Sequence, residues 1–159
     1  MTIDSTLTQA LAILGELMGG NAPAFDEDGL CVLSHEDGFA ITLMTAPGAD
    51  ILLLSAQLMG VPEVGRESLF AWLLRLNFLG LDTGGAALSI DEEERHVYLC
   101  HSVPLARVDA QTLVGIIGNF LDVSAVVRQR LLTQADSAAS TDGSASTLVS
   151  GRLSGWIQG

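Results

Sequence analysis

Leu73-Leu74-Arg75-Leu76-Asn77-Phe78-Leu79-Gly80-Leu81-Asp82-Thr83-Gly84-Gly85-Ala86-Ala87-Leu88-Ser89-Ile90-Asp91 reads as an apolar helix that runs through a double-glycine turn into a strand. The helix begins near Arg66 and reaches Leu79, where Gly80 supplies a C-terminal stop. Leu69, Phe70, Trp72, Leu73, Leu74, Leu76, Phe78 and Leu79 nearly circle its axis. A helix that is apolar all round is buried all round. One small sheet covers one side, and a second copy related by a twofold axis is the natural cover for the other.

The flanking sequence completes the pattern. Upstream, Leu7, Leu11, Leu14, Leu17 and Met18 recur at helical spacing, with Asp4 or Ser5 to cap the start and Gly19-Gly20 to end it. Three strands follow, about Leu30 to His35, Phe39 to Thr45 and Ile51 to Gln57, with turns at Glu36-Asp37 and Pro47-Gly48. Downstream, strands at Ala86 to Ile90 and Arg95 to Val103 flank the solvated acidic loop Asp91-Glu92-Glu93-Glu94. A last helix starts after Asp109, a good N-cap, and ends near Leu132. The fold expected is α/β (α+β), in the order α-β-β-β-α-β-β-α, with a twisted antiparallel sheet and a homodimeric assembly. Residues 1–133 form the domain. Residues 134–159, rich in Ser, Ala, Thr and Gly, read as a disordered tail ending in Trp156-Ile157.

Strand register sharpens the reading. A two-residue turn at Glu36-Asp37 sets Val32 opposite Ile41, and a turn at Ala46 to Ala49 sets Leu43 opposite Leu52. One face then gathers Leu30, Val32, Phe39, Ile41, Leu43, Leu52, Leu54 and Ala56 as the core side. The other gathers Cys31, Leu33, His35, Ala40, Thr42, Met44, Ile51, Leu53 and Ser55. A face that met only water would be polar. This one is mostly apolar, so either another helix covers it or it docks a partner.

Composition narrows the function. The chain has 159 residues, 48% of them apolar, a formal net charge of −12, and no lysine among its seven basic residues. Such a charge repels phosphate backbones and anionic lipid, so neither nucleic acid nor a membrane surface is an expected partner. A P-loop lysine and a Schiff-base lysine are both missing. No basic-then-apolar leader stands at the amino terminus, and no apolar run approaches the length of a membrane span. Cys31 and Cys100 read as free thiols in a reducing cytoplasm.

No catalytic residue, metal ligand or cofactor site emerges. Cys100 and His101 are strand neighbours and point to opposite faces. Cys31 and His35 share a face but stand roughly 13 Å apart. Gly84-Gly85 lacks the strand-to-helix context of a phosphate cradle, and Asp26-Glu27-Asp28 lacks the follow-on acid of a calcium loop. An enzyme would need a polar pocket with a perturbed acid or base, and His35, His96 and His101 assemble none.

With these elements in order, residues 5–132 resemble the type III secretion chaperones of the Tir-chaperone family, the class I effector chaperones. The quoted stretch carries the resemblance. Gly29-Leu30-Cys31-Val32-Leu33 after acidic residues and Ser102-Val103-Pro104-Leu105 before the last helix support it. The resemblance implies a homodimer in the bacterial cytoplasm that serves virulence. It would bind the amino-terminal region of a secreted effector, hold it extended and export-ready, and hydrolyse no ATP. The secretion ATPase is a further partner it implies. The second helix would form the dimer interface through Leu69, Trp72, Leu73, Leu76 and Phe78. The effector would lie on Leu11 and Leu14 of the first helix and on Leu33, Met44, Ile51 and Leu53 of the sheet. A dimeric binding or scaffold module of the same fold, without a secretion role, is the alternative.

Overall fold

The computed structural model describes residues 3–34, 38–45 and 50–152, with side chains from 5 to 136 within those ranges. Helix α1 (Ile3–Leu17) leads into strands β1 (Leu30–Ser34), β2 (Ala40–Thr45) and β3 (Ile51–Gly60). Helix α2 (Arg66–Leu76) and a 3-10 turn at Phe78–Gly80 follow. Strands β4 (Ala87–Ile90) and β5 (His96–Pro104), a second 3-10 turn at Leu105–Arg107 and helix α3 (Ala110–Arg152) complete the order. The five strands form one open sheet, β1-β2-β3-β5-β4, with every pairing antiparallel. This is the α+β architecture and element order expected from the sequence.

One face of the sheet carries the core. Ile41, Leu43, Leu52, Leu54, Val97 and Leu99 are sealed there, beneath α1 and α3, which pack on each other and, through α3, on β3. Leu7, Ala10, Leu11 and Leu14 come from α1, and Leu113, Ile117, Phe120, Val127 and Leu131 from α3. Asp109 caps α3, its Oδ1 accepting a hydrogen bond from the Thr112 N–H at 2.7 Å.

The β1 register differs from the expected one. Cys31 stands opposite Leu43 and Leu33 opposite Ile41, so Cys31 and Leu33 enter the core while Leu30 and Val32 turn outward. The cause is loop length. Ser34 pairs with Ala40, which leaves five residues between the strands rather than two, and an odd change exchanges the faces. Gly38, at φ +77°, helps to close that loop. Between β2 and β3, Ile41 pairs with Ala56 and Leu43 with Leu54, two residues from the expected match, so their faces are unchanged. The turn residues His35, Glu36, Asp37 and Ala46 to Ala49 lie outside the described residues, as do Trp156 and Ile157.

Glycine is required where the backbone turns left-handed against a neighbour, as at Gly29 and Gly84. Gly29 has φ +75°, and a Cβ there would sit 2.4 Å from the Thr45 carbonyl oxygen. Gly84 has φ +60° and passes against α3, where a Cβ would lie 3.1 Å from a Val123 methyl.

The helices also depart from expectation. α2 ends at Leu76 rather than Leu79, because the backbone turns left-handed at Leu79 (φ +58°) and Gly80 (φ +65°), while the Asn77 side chain bonds the β4 backbone. α3 continues to Arg152, past the boundary near Leu132 and into the stretch read as a loose tail. No proline follows Pro104, and the Ala-rich run after Leu131 opposes helix less than its Ser and Gly content suggests. Contrary to the expectation that no stretch approaches a membrane span, Ala110–Asp136 is long and apolar enough by length and composition. Its apolar side faces the domain core.

Candidate partner-binding surfaces

Among the described residues, exposed apolar side chains cluster on two surfaces, with Leu17, Met18, Val64 and Val126 exposed elsewhere. The first is the outer face of the sheet. Val32, Ile51 and Leu53 are 60%, 46% and 43% exposed, and Leu30, Thr42 and Met44 beside them are half-buried. Register explains the cluster, since Met44 pairs with both Leu30 and Leu53, and Val32 with Thr42. Toward the other end of β3 this face turns polar or small, with Ser55 and Gln57 opposite Cys100 and Tyr98.

The sheet has two edges, and they are treated differently. The β4 edge is closed. Asn77 Nδ2 donates to the Leu88 carbonyl at 3.0 Å, and Asn77 Oδ1 accepts from the Leu88 N–H at 2.7 Å. The side-chain amide thus takes the place of a neighbouring strand. At the β1 edge, the Thr45 N–H bonds Gly29 O, which fixes Gly29, Cys31 and Leu33 as the residues facing β2. Leu30, Val32 and Ser34 therefore direct their backbone groups outward. Asp26 takes those of Leu30, its N–H donating to Leu30 O and its Oδ1 accepting from Leu30 N–H, both at 2.8 Å. The backbone of Val32 and Ser34 faces the open edge, next to the apolar outer patch. An extended chain pairing there would lay alternate side chains beside Leu30 and Val32, at the border of the patch that continues to Ile51 and Leu53 two strands further in.

Formal charge along the first 65 residues has one sign, and Arg128 of α3 approaches this region over the Phe39 ring. Asp4, Glu16, Asp26, Glu27, Asp28, Glu36, Asp37, Asp50 and Glu63 fall before the first basic residue, Arg66. The electrostatic preference is for a partner carrying positive charge.

The second surface is the end of α2. Leu74, Phe78, Leu79 and Leu81 are 73%, 71%, 75% and 81% exposed. Beside it, a half-open groove of about 500 Å³ runs between α3 and the glycine turn, lined by Gly84, Ala86, His101, Gly115, Asn119 and Val123 among others.

The residues chosen from sequence divide accordingly. Met44, Ile51 and Leu53 lie on the outer face as expected. Leu11, Leu14 and Leu33 are buried inside the protomer at 7%, 6% and 3% exposure, which removes them from any free surface. Leu33 was placed outside by the register of β1, and Leu11 and Leu14 are the α1 stripe that meets α3. In α2, Leu69, Leu73 and Leu76 are buried by the protomer's own core, Trp72 is half-buried and Phe78 is open. Sequence spacing hides Val32 through the same register slip, and it does not show that Leu74 takes the outward phase of α2 or that Leu79 and Leu81 lie beyond the end of that helix.

The chemistry of the remaining groups is structural. Burial, with Asp26 adding to it, pushes the Cys31 thiol up and away from reactivity. Cys100 and His101 fall on opposite faces, opposite Ser55 and Leu54. At the β4–β5 turn, partial desolvation works to raise the Asp91 pKa. Hydrogen bonds from the His96 ring and from the His96 and Arg95 N–H groups outweigh it and hold the carboxyl low. Asp109 is held low by the Thr112 N–H and hydroxyl. Among the described residues no three His, Cys, Asp or Glu side chains gather as a metal site.

Among the described residues, an open antiparallel sheet with an exposed apolar face beside a free edge is a surface suited to a protein partner. Residues 9–128 match the model of the Tir chaperone protein (CesT) family, and the chain belongs to that family. The family consists of chaperones, not enzymes. Among solved structures, the ExsC–ExsE complex matches with a TM-score of 0.68 at 23% identity, over 82% of this chain and 97% of that one. The type III secretion chaperone SycH of Yersinia pestis, in complex with a stable fragment of YscM2, matches with a TM-score of 0.56 at 16% identity, over 79% and 98%. YbjN from E. coli, described as a putative transcription regulator, matches with a TM-score of 0.60 at 20% identity, over 84% and 94%. At these identities the structural matches speak to the fold. No curated protein matches in sequence.

Proposed function

We propose that this chain is a homodimeric type III secretion chaperone of the bacterial cytoplasm. It binds the amino-terminal region of a secreted effector and keeps it extended and export-ready. The observation that carries the reading is the exposed apolar patch of Val32, Ile51 and Leu53 beside the open β1 edge, in a member of a chaperone family. An extended client supplies a strand to the edge and side chains to the patch, and never needs a core of its own. Burying roughly 1,000 Å² of apolar surface yields about 25 kcal/mol gross, most of it offset by ordering the client. Residues 1–133 are the binding unit, in keeping with Leu131 as the last core residue among the described side chains. Residues 134–159 are an appendage outside it, and the secretion ATPase is the partner to which the loaded complex is handed.

The test is co-purification from a secreting host followed by limited proteolysis. The expected result is one secreted protein, protected over a single amino-terminal fragment, with light scattering at the mass of two chaperone chains and one client. Recovery of the chaperone without a secreted protein overturns the client reading. The fold match to YbjN favours a second reading, a dimeric binding module without a secretion role. It predicts capture of a protein that is never exported.

A further inference from the structure

Where α3 leaves the core, it passes the end of the sheet at which β2 begins. Arg128 lies there over the Phe39 ring, 5.9 Å from its centroid. From that corner a groove of about 480 Å³ rounds the end of the sheet to its outer face. Phe39 and Arg128 line one side, and Thr42, Ser55, Gln57 and Tyr98 line the other. Thr42 pairs with Ser55, and two residues further along the same strands Met44 pairs with Leu53. The groove therefore opens onto the apolar outer patch. Followed away from α3, the surface changes from hydrogen-bonding side chains to Leu53, Met44 and Val32.

The chain beyond the core changes in the same order. The family match ends at residue 128, and Leu131 is the last buried side chain among the described ones. Residues 137–144 read Ser-Ala-Ala-Ser-Thr-Asp-Gly-Ser, small or polar throughout. After them, Val149, Leu153, Trp156 and Ile157 recur at helical spacing, the pattern of a segment that docks by one apolar side. Charge agrees with the match. Arg152 is the single charged residue after Asp142, whereas acids border the patch, Asp26 bonded to Leu30 and Asp50 next to Ile51.

Length permits the connection. The helix runs on to Arg152, but residues 137–152 hold two glycines and seven Ser or Thr, so propensity supports it weakly and unwinding costs little. Extended, residues 137–144 span up to about 26 Å, and the stretch on to Trp156 adds about 18 Å as helix. The path to cover is shorter. It is about 12 Å back along α3 from Asp136 to Arg128, about 10 Å across the layer, and about 13 Å along β3 from Gln57 to Leu53. We propose that residues 148–157 of this chain cover the outer patch while no client is bound, with residues 137–144 lying in the polar groove, and that a client displaces them. This rests on the client reading above and supplies its regulation.

The full chain carries two tryptophans, Trp72 and Trp156, so the difference between wild type and Trp156→Phe isolates the fluorescence of Trp156. In the client-free protein that emission should be blue-shifted and shielded from acrylamide. It should become that of indole in water in Leu53→Asp and in Val32→Asp, two variants so that one misfolded chain does not decide the result. It should not change on tenfold dilution, because the contact is within one chain. A tethered segment acts at an effective concentration on the order of 1 mM, so one with an intrinsic Kd of about 0.2 mM fills the patch in roughly five molecules of six. Replacing Leu153 and Trp156 together by serine should then tighten binding of the co-purified client about sixfold. Four results overturn the proposal: a wild-type Trp156 that emits as free indole, an emission that the folded patch variants leave unmoved, an emission that changes with dilution, and a Leu153→Ser, Trp156→Ser chain that binds its client within twofold of wild type. The client reading falls separately, when no secreted protein co-purifies, and Trp156 then still reports whether the patch is covered.

Discussion

Leu53 and Leu54 are neighbours on the central strand β3, and their contrast tests the assignment of the two sheet faces. Leu53 pairs with Met44 and Ser102 on the outer face and is 43% exposed, whereas Leu54 is 1% exposed in the core. Leu54→Asp buries a carboxylate with no partner and opens a cavity, at a cost of more than about 4 kcal/mol. That is a large part of the ~5–15 kcal/mol that holds a domain of this size together, so the variant should fail to fold. Leu53→Asp leaves its carboxylate in water and should cost about 1 kcal/mol or less. Binding reverses the weights. Full burial of a leucine is worth ~1.5–3 kcal/mol, so covering the exposed part of Leu53 contributes about 1 kcal/mol to a client complex. An aspartate forfeits that and adds about 2 kcal/mol for a carboxylate pressed against an apolar client. The total of about 3 kcal/mol corresponds to roughly a hundredfold weaker complex. Circular dichroism should show Leu53→Asp folded at wild-type content, light scattering should show the same oligomer as wild type, and titration with the co-purified client should show the loss. A folded Leu53→Asp that binds within threefold of wild type refutes the outer face as the binding surface. A Leu53→Asp chain that is unfolded refutes the face assignment.

Three further outcomes follow from the geometry. Asn77→Ala deletes both bonds to the Leu88 backbone and should lower urea stability by about 2 kcal/mol, with new aggregation through the uncovered β4 edge; an unchanged midpoint would show that the edge is supported otherwise. Gly29→Ala forces a left-handed alanine whose Cβ meets the Thr45 carbonyl, so it should destabilise by about 2 kcal/mol or more and raise hydrogen exchange first in β1. Asp91 and Asp109 have folded pKa values below their ordinary value near 3.9. The stability they supply is present at neutral pH and is lost as pH falls through those depressed values. Melting scans from pH 7 to pH 2.5 should show a shallower acid limb for Asp91→Asn with Asp109→Asn than for wild type, and parallel limbs would refute the linkage.

Periodicity alone determined that α1, α2 and α3 are helices, that five strands lie between them in this order, and that β2 and β3 share an apolar face through Ile41, Leu43, Leu52 and Leu54. These are local properties, set by spacings of two and of 3.6 residues along the chain. The apolar excess on Met44, Ile51 and Leu53 was visible for the same reason. Tertiary structure decided what spacing leaves free. The five-residue span between Ser34 and Ala40 turned Val32 outward and Leu33 inward, because strand faces depend on the parity of a loop and not on its composition. The side of α2 that meets the sheet was settled by Asn77 reaching for Leu88, a contact across eleven residues. That contact ties the end of the helix to β4; Leu69, Leu73 and Leu76 are buried, and Leu74, Phe78 and the left-handed Leu79 face out. A sequence records which residues are apolar, but only the packed chain sets which of them its own core consumes.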